Sequence, residues 1–79
     1  MVDMVFAYVL VNCETGQEDK AIGELRKIPG VEESHVIYGV YDCLLKIRAD
    51  SADKLKETIT WKVRRADYVR STLTMLVIE

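Results

Sequence analysis

The fold of this 79-residue chain is determined by residues 31–48, VEESHVIYGVYDCLLKIR. The part before Gly39 alternates imperfectly between apolar and polar residues, and the part after it continues with β-branched and other apolar residues. Alternation with a period of two is typical of a β-strand, and glycine is favoured in a tight hairpin connection. We therefore predict two antiparallel strands, over residues 31–38 and 40–48, with a tight connection at Gly39.

A strand and a helix are predicted on the N-terminal side of this hairpin. Residues 4–11, MVFAYVLV, are apolar throughout, as in a strand that is buried on both faces. The Thr15 hydroxyl is expected to cap the helix while Glu18 reaches back to the Thr15 amide, and Pro29-Gly30 is expected to end it. Four apolar residues at helical spacing form the buried face of this helix: Ala21, Ile22, Leu25 and Ile28.

A second helix and a last strand are predicted on the C-terminal side. Asp50 or Ser51 is placed to cap the helix. Its apolar stripe consists of residues about one turn apart: Ala52, Leu55, Ile59 and Val63. The last strand is expected over residues 68–78, YVRSTLTMLVI.

The predicted element order is therefore β-α-β-β-α-β over a single domain, residues 1–79. This order indicates an α+β, ferredoxin-like fold, in which a four-stranded antiparallel sheet carries two helices on one face. The first and last strands are apolar on both alternating sets of side chains, and the helices can cover only one set. We expect the other set to be buried by sheets packed face to face in a homodimer.

Composition argues against several classes of protein. The net charge of -2 and the isoelectric point near 5.4 are unlike those of a domain that binds nucleic acid through phosphates. The one basic concentration, Lys62, Arg64, Arg65 and Arg70, is interpreted as cations that complement a helix dipole. No apolar run approaches the roughly 20 residues of a membrane span, so we expect no membrane partner.

Cysteine and histidine usage favours a cytoplasmic protein without a metal or other cofactor. Cys13 and Cys43 lie in or at the end of apolar runs, which is typical of buried free thiols. With a single histidine and neither CxxC nor HxxxH spacing, the chain lacks a pattern that would hold a tetrahedral ion.

Catalytic patterns are equally sparse. His35 lies in an alternating strand with no obvious nucleophile or acid beside it, and we place it at a rim or an interface. Glu32 and Glu33 are expected on opposite faces of their strand, where they could not share a proton. Trp61 and Tyr68 could line a pocket, but aromatic residues on the second helix and at the start of a strand are expected to serve in packing.

Asp42 is the residue that most needs an explanation. It is predicted inside an apolar strand, where an unpaired carboxylate is costly to desolvate. A structural partner could be a turn amide or an arginine. Alternatively, the carboxylate could take the ammonium group of a zwitterion whose own carboxylate is held by turn amides and by the hydroxyls of Ser71, Thr72 or Thr74.

The segment over residues 28–47 resembles the effector-binding domain of Lrp/AsnC transcriptional regulators, also called the RAM domain. The pattern consists of a Pro-Gly-Val helix end, a strand with histidine, Gly39-x-Tyr41-Asp42 and an apolar strand, and the likeness extends over nearly the whole chain. The resemblance implies dimerisation through the sheets, octamers or other rings of dimers, and small effectors, typically amino acids, at contacts between dimers. By position in the sequence, the residues that match the turn lining the family's effector pocket are Gly39, Val40, Tyr41 and Asp42. Thr72 and Thr74 match positions of the last strand that can contribute to this pocket, from the same or a neighbouring subunit.

One departure from the family pattern shapes the functional expectation. Full-length members carry a helix-turn-helix domain before this one, whereas here the sheet begins within the first residues. We expect a stand-alone RAM domain that binds an amino acid without catalysis and does not bind DNA itself. It could sense amino acids by itself or join full-length Lrp/AsnC regulators, through which any effect on transcription would have to act. Two alternatives stay open: an assembly or co-regulator subunit with a vestigial pocket, and a small dimeric ferredoxin-like protein such as a monooxygenase, an isomerase or an ACT-like sensor.

Overall fold

The computed structural model describes residues 4–78 and has the expected order of elements. They are β1 (Val5–Cys13), α1 (Glu18–Arg26), β2 (Val31–Val36), β3 (Cys43–Ala49), α2 (Ala52–Thr58), a π-helical segment (Ile59–Val63) and β4 (Val69–Val77). All strand pairs are antiparallel and lie in the order β2-β3-β1-β4. The predicted ferredoxin-like α+β fold is therefore confirmed.

The core lies between the two helices and one face of the sheet. It comprises these residues: Ala7, Val9, Val11, Cys13, Ala21, Ile22, Leu25, Cys43, Leu45, Ile47, Leu55, Ile59 and Val63. In β1 and β3 the buried residues alternate with less buried ones, as a sheet with one covered face requires. The predicted helix stripes contribute as expected with two exceptions. Ala52 at the start of α2 is exposed, and Ile28 lies beyond the end of α1 at Arg26 and is only partly buried.

The second helix begins as predicted and the first does not. The Ser51 side chain accepts a hydrogen bond of 3.2 Å from the Lys54 amide and so caps α2. The Thr15 cap is wrong, because a turn closed by the Gln17 amide on the Glu14 carbonyl (2.9 Å) delays the start of α1 to Glu18. The Glu18 carboxylate then accepts from the Gly16 amide at 3.3 Å instead of the Thr15 amide.

The connection between β2 and β3 is a loop over residues 37–42 and not the tight turn predicted at Gly39. The strand β2 ends at Val36, and β3 begins only at Cys43. The loop is closed by the Ile37 amide, which donates to the Asp42 carbonyl at 2.9 Å. Asp42 therefore precedes β3 instead of lying inside it.

Two irregularities change the direction of charged side chains. In β2, Val31 pairs with Ile47 and Glu33 with Lys46, so Glu32 is the extra residue of a β-bulge. Both glutamates consequently face Lys46, at 3.9 Å and 3.8 Å from its Nζ atom. Their expected placement on opposite faces is wrong, because the bulge interrupts the alternation of the strand.

The second face of the sheet, here called the open face, is not covered by the helices. On β1 and β4 it presents apolar side chains, namely Phe6, Tyr8, Leu10, Leu73, Met75 and Val77. On β2 and β3 it presents charged ones, including the Glu33 carboxylate and His35 Nε2 at 3.1 Å from each other. Within residues 4–78, neither helix has the length and apolar character needed to cross a membrane.

A polar cleft at Asp42

Asp42 is held at the point where the loop over residues 37–42 meets β1. Its amide donates to the Val11 carbonyl at 3.0 Å, and its Oδ2 atom accepts a hydrogen bond of 2.8 Å from the Cys13 amide. The carboxylate thus bonds to a backbone group across the sheet. The partner of Asp42 is a backbone amide, but it is the amide of Cys13 in β1 and not a turn amide or an arginine, the partners expected from the sequence.

Beside this carboxylate lies a cleft of about 430 Å³, here called the Asp42 cleft. It is lined by Asn12, Cys13, Thr15, Glu18, Val40, Asp42, Arg70 and Ser71. Polar side chains predominate among them, and β1, β4, the loop and the start of α1 all contribute. The volume lies in the range of small-molecule sites.

Arg70 reaches this cleft because of the second irregularity of the sheet. In the pairing of β1 with β4, Asn12 lies opposite Ser71 and Cys13 opposite Val69, so Arg70 is the extra residue of a β-bulge. Bulges of this kind redirect a side chain, and here the side chain is a guanidinium group. The interpretation of Arg70 as a helix-end cation is therefore wrong, since Arg70 belongs to a strand.

The cleft combines opposite charges with neutral hydrogen-bonding groups. Asp42 and Glu18 supply negative charge, Arg70 supplies positive charge, and Thr15 and Ser71 supply hydroxyls. Such a set matches a ligand that carries both an ammonium and a carboxylate group.

Neither buried thiol is suited to nucleophilic chemistry. Burial, followed by the negative charges of Asp42 and Glu18, raises the pKa of the Cys13 thiol. Burial is also the main cause that raises the pKa of Cys43 to about 11. Because the thiolate is the nucleophile, Cys13, the one thiol among the lining residues of this cleft, is held in the protonated, unreactive form.

The structure brings together only some of the residues singled out in the sequence. Val40 and Asp42 line the Asp42 cleft, whereas Gly39 and Tyr41 lie in the same loop without lining it. Thr72 and Thr74 line a separate cleft of about 370 Å³ together with Lys56, Ile59, Thr60 and Arg64. We call it the β4 cleft.

Three other residues considered in the sequence lie outside the Asp42 cleft. His35 is exposed on the open face. The Trp61 ring is also exposed, with the Arg65 guanidinium 4.8 Å from its centroid, so the packing role expected for Trp61 is wrong. Tyr68 packs against the core and has a positive φ of 71°. Over residues 4–78, no cluster of three or more His, Cys, Asp or Glu side chains is placed to hold a metal ion.

Curated sequences relate this chain to regulators and to part of an enzyme. An uncharacterised HTH-type transcriptional regulator of Pyrococcus furiosus is 37% identical over 73 residues, which cover 89% of this chain and 49% of that protein. A homocitrate synthase of Sulfurisphaera tokodaii is 38% identical over 74 residues, 92% of this chain and 16% of the enzyme. The chain thus spans about half the length of the regulator and a smaller part of the enzyme.

Solved structures show the same architecture. The crystal structure of FFRP-DM1 superposes with a TM-score of 0.89 at 34% identity, over 94% of this chain and 99% of that one. A feast or famine regulatory protein of M. tuberculosis, complexed with L-methionine, has a TM-score of 0.79 at 25% identity, over 95% of this chain and 50% of its own.

The family follows from the agreement of these comparisons with the fold. The sequence model of the Lrp/AsnC ligand binding domain matches residues 6–79, which is nearly the entire chain. By this match, and by the similarity to the Pyrococcus furiosus regulator, the chain belongs to the Lrp/AsnC ligand-binding domain family.

Proposed function

We propose that this domain binds a free amino acid in the Asp42 cleft and that it does so without catalysing a reaction. In this proposal the Asp42 carboxylate accepts the ammonium group of the ligand, and the Arg70 guanidinium donates to its carboxylate. Thr15 and Ser71 supply neutral partners beside these charges. The observation that carries the proposal is the meeting of acidic and basic side chains in one polar cleft.

The Asp42 carboxylate is well prepared for such a ligand. One oxygen, Oδ2, is already fixed by the Cys13 amide, and within residues 4–78 no protein group donates a hydrogen bond to Oδ1. The Asp42 backbone is held on both sides by hydrogen bonds to Val11 and Ile37. A group that is already oriented loses little conformational freedom when the ligand binds, which favours affinity.

The Arg70 guanidinium is likewise available to bind the carboxylate group of a ligand. Within the described residues no carboxylate lies within ion-pair distance of its guanidinium group, so it can form a charge-assisted, bidentate contact with a ligand carboxylate. Val40, which also lines the cleft, is strongly exposed. We infer that a neighbouring subunit covers Val40 in the assembled protein and shields the ligand from water.

The relatives support an amino acid as the class of ligand. One structurally similar regulator is known in complex with L-methionine. The module is also found in HTH-type regulators and in a homocitrate synthase, proteins with different overall activities, which suits a sensing role better than a catalytic one. We propose that the domain acts in the cytoplasm, where it associates with DNA-binding members of its family.

The open face supports assembly into homodimers. Leu73 and Met75 of β4 lie on it beside Tyr8 of β1, and each of these large side chains is more than one-third exposed. An apolar sheet face of this kind marks an interface. We propose that two sheets pack through it and that the dimers assemble further into an octamer or another ring.

Calorimetric titration with the twenty amino acids tests the proposed ligand. We expect at least one to bind, and we expect Asp42→Asn and Arg70→Gln each to weaken binding by about tenfold or more, since each removes one charge-assisted contact. Asparagine keeps an oxygen that can accept from the Cys13 amide, so the fold is retained. The matched controls are Asp67→Asn and Arg65→Gln, whose side chains lie outside the Asp42 cleft.

Ligand analogues assign each contact. For the wild-type protein, the des-amino analogue of the best ligand should bind more weakly than the amino acid. For Asp42→Asn this difference should shrink, because the lost carboxylate is the ammonium partner. A panel without any binding, together with stable association with full-length Lrp/AsnC regulators that Asp42→Asn leaves unchanged, would support the alternative of a co-regulator subunit with a vestigial pocket.

A further inference from the structure

We infer that the β4 cleft is a second ligand site, specific for a small phosphate ester and distinct from the amino-acid site. Two cationic side chains, Lys56 and Arg64, line it together with the hydroxyl-bearing side chains of Thr60, Thr72 and Thr74. The two clefts share no lining residue, although a smaller cleft of about 230 Å³ is lined by Arg70 and Ser71 of the first and Arg64 and Thr72 of the second. The two proposals are therefore tested with separate ligands.

Two independent periodicities bring these five side chains together. Lys56, Thr60 and Arg64 follow one another at intervals of four residues along α2 and the π-helical segment, so they lie on one side of the helix. Thr72 and Thr74 are two residues apart in β4 and therefore share a face of the sheet. The combined arrangement is a cationic stripe opposite a pair of hydroxyls.

The sheet register directs the two β4 threonines toward the helices. Thr72 pairs with Val11 and Thr74 with Val9, and both valines are completely buried on the helix side of the sheet. At these positions a sheet covered by helices would carry apolar residues. The helices cover β1 and β3 but leave β4 at the edge, and the space beside it is lined by polar groups with Ile59 between them.

The polar groups of the cleft have no partners within the described chain. In residues 4–78 no carboxylate lies within ion-pair distance of Lys56 or Arg64. The hydroxyls of Thr60, Thr72 and Thr74 likewise make no hydrogen bond to a protein group there. Two uncompensated cations on a chain with a net charge of -2 form a local site for an anion.

The number of donors favours a phosphate group over a carboxylate. A phosphate ester presents three oxygen acceptors, and a guanidinium, an ammonium and three hydroxyls can share them. A carboxylate offers two oxygens and would leave part of this set unused. The volume of about 370 Å³ leaves room for a short carbon skeleton, and Ile59 offers it an apolar contact.

Calorimetric titration with glycerol 3-phosphate, at an ionic strength matched with chloride, tests this assignment. We expect saturable binding, weakened about tenfold by Arg64→Gln and severalfold by Thr72→Val, which removes a hydroxyl while keeping the shape of the side chain. The matched control is Lys62→Gln, an exposed cation of the same helical segment that lines a different cleft, and it should change affinity less than twofold.

Three results would overturn the inference. The first is an absence of binding at ligand concentrations up to about 10 mM. The second is an equal effect of Arg64→Gln and Lys62→Gln, which would indicate unspecific screening of charge. The third is tighter binding of succinate than of glycerol 3-phosphate, which would assign the cleft to dicarboxylates. Asp42→Asn should leave the affinity for glycerol 3-phosphate unchanged. A failure of the amino-acid proposal can therefore be distinguished from a failure of this inference.

Discussion

Replacement of Gly30 by alanine tests whether the start of β2 is as tightly built as the structure indicates. Gly30 has a φ of +100°, and a Cβ atom there would lie 2.8 Å from the Arg48 carbonyl oxygen. The Gly30 carbonyl also accepts a hydrogen bond of 2.8 Å from the Arg48 amide. The obstacle is backbone, so no side-chain rotation relieves the clash.

The magnitude follows from two contributions. A non-glycine residue with positive φ costs about 1–2 kcal/mol, and weakening the bond to the Arg48 amide costs about 1 kcal/mol more. We therefore expect Gly30→Ala to lower the free energy of unfolding by about 2–3 kcal/mol. For a domain of this length that is a large share of a total stability of roughly 4–12 kcal/mol.

Urea unfolding followed by far-ultraviolet circular dichroism, at one fixed protein concentration, measures this effect. Two other glycines serve as controls. Gly16 also has a positive φ, of 82°, but open space around it, so Gly16→Ala should cost only the strain of about 1–2 kcal/mol. Gly23 lies within α1 with open space around it, so Gly23→Ala should stabilise by about 0.5–1 kcal/mol. A Gly30→Ala variant as stable as Gly16→Ala would refute the close approach to Arg48.

Three further outcomes are expected. Met75→Glu should dissociate the proposed homodimer in analytical ultracentrifugation, because it places a charge on the open face. Leu76→Glu on the other face should not; the two residues are 44% and 42% exposed. The unfolding free energy should fall as the pH rises from about 9 to 11. Folding raises the pKa of the Cys43 thiol from 9.0 to about 11, so the unfolded chain loses this proton first. The fall should therefore be smaller in Cys43→Ala. Ser51→Ala should lower stability by about 1 kcal/mol in urea unfolding, and Thr15→Ala, which removes no cap, should leave it within about 0.3 kcal/mol.

The order of elements could be predicted because local patterns determine it. Residues at helical spacing, a serine cap and apolar strands all act within a few positions of each other in the chain. The errors arose where a local turn or the pairing with a distant strand decided the outcome. For example, the Glu14 amide donates to the Tyr68 carbonyl at 2.8 Å and the Glu14 carbonyl accepts from the Gln17 amide at 2.9 Å, and α1 begins only at Glu18.

The candidate site was predictable only in part for the same reason. Asp42 was recognisable as a carboxylate in apolar surroundings, and its need for a partner follows from the cost of desolvation. Arg70 was not, because its approach to Asp42 depends on a bulge in the pairing of β1 with β4. A bulge shifts the register by one residue, and the sequence of either strand alone carries no signal for it.

The polarity of β4 connects the proposed dimer to the proposed second site. Alternation alone predicts that one set of its side chains is buried, but it does not say in which direction that set points. The register with β1 shows that Thr72 and Thr74 face the helices, while Leu73 and Met75 face away from them. Leu76, which pairs with Ala7, also faces the helices, so the helix side of β4 is polar only at Thr72 and Thr74. This local polarity is explained if the open face is the more deeply buried side of β4 in the assembled protein and Thr72 and Thr74 face a polar ligand.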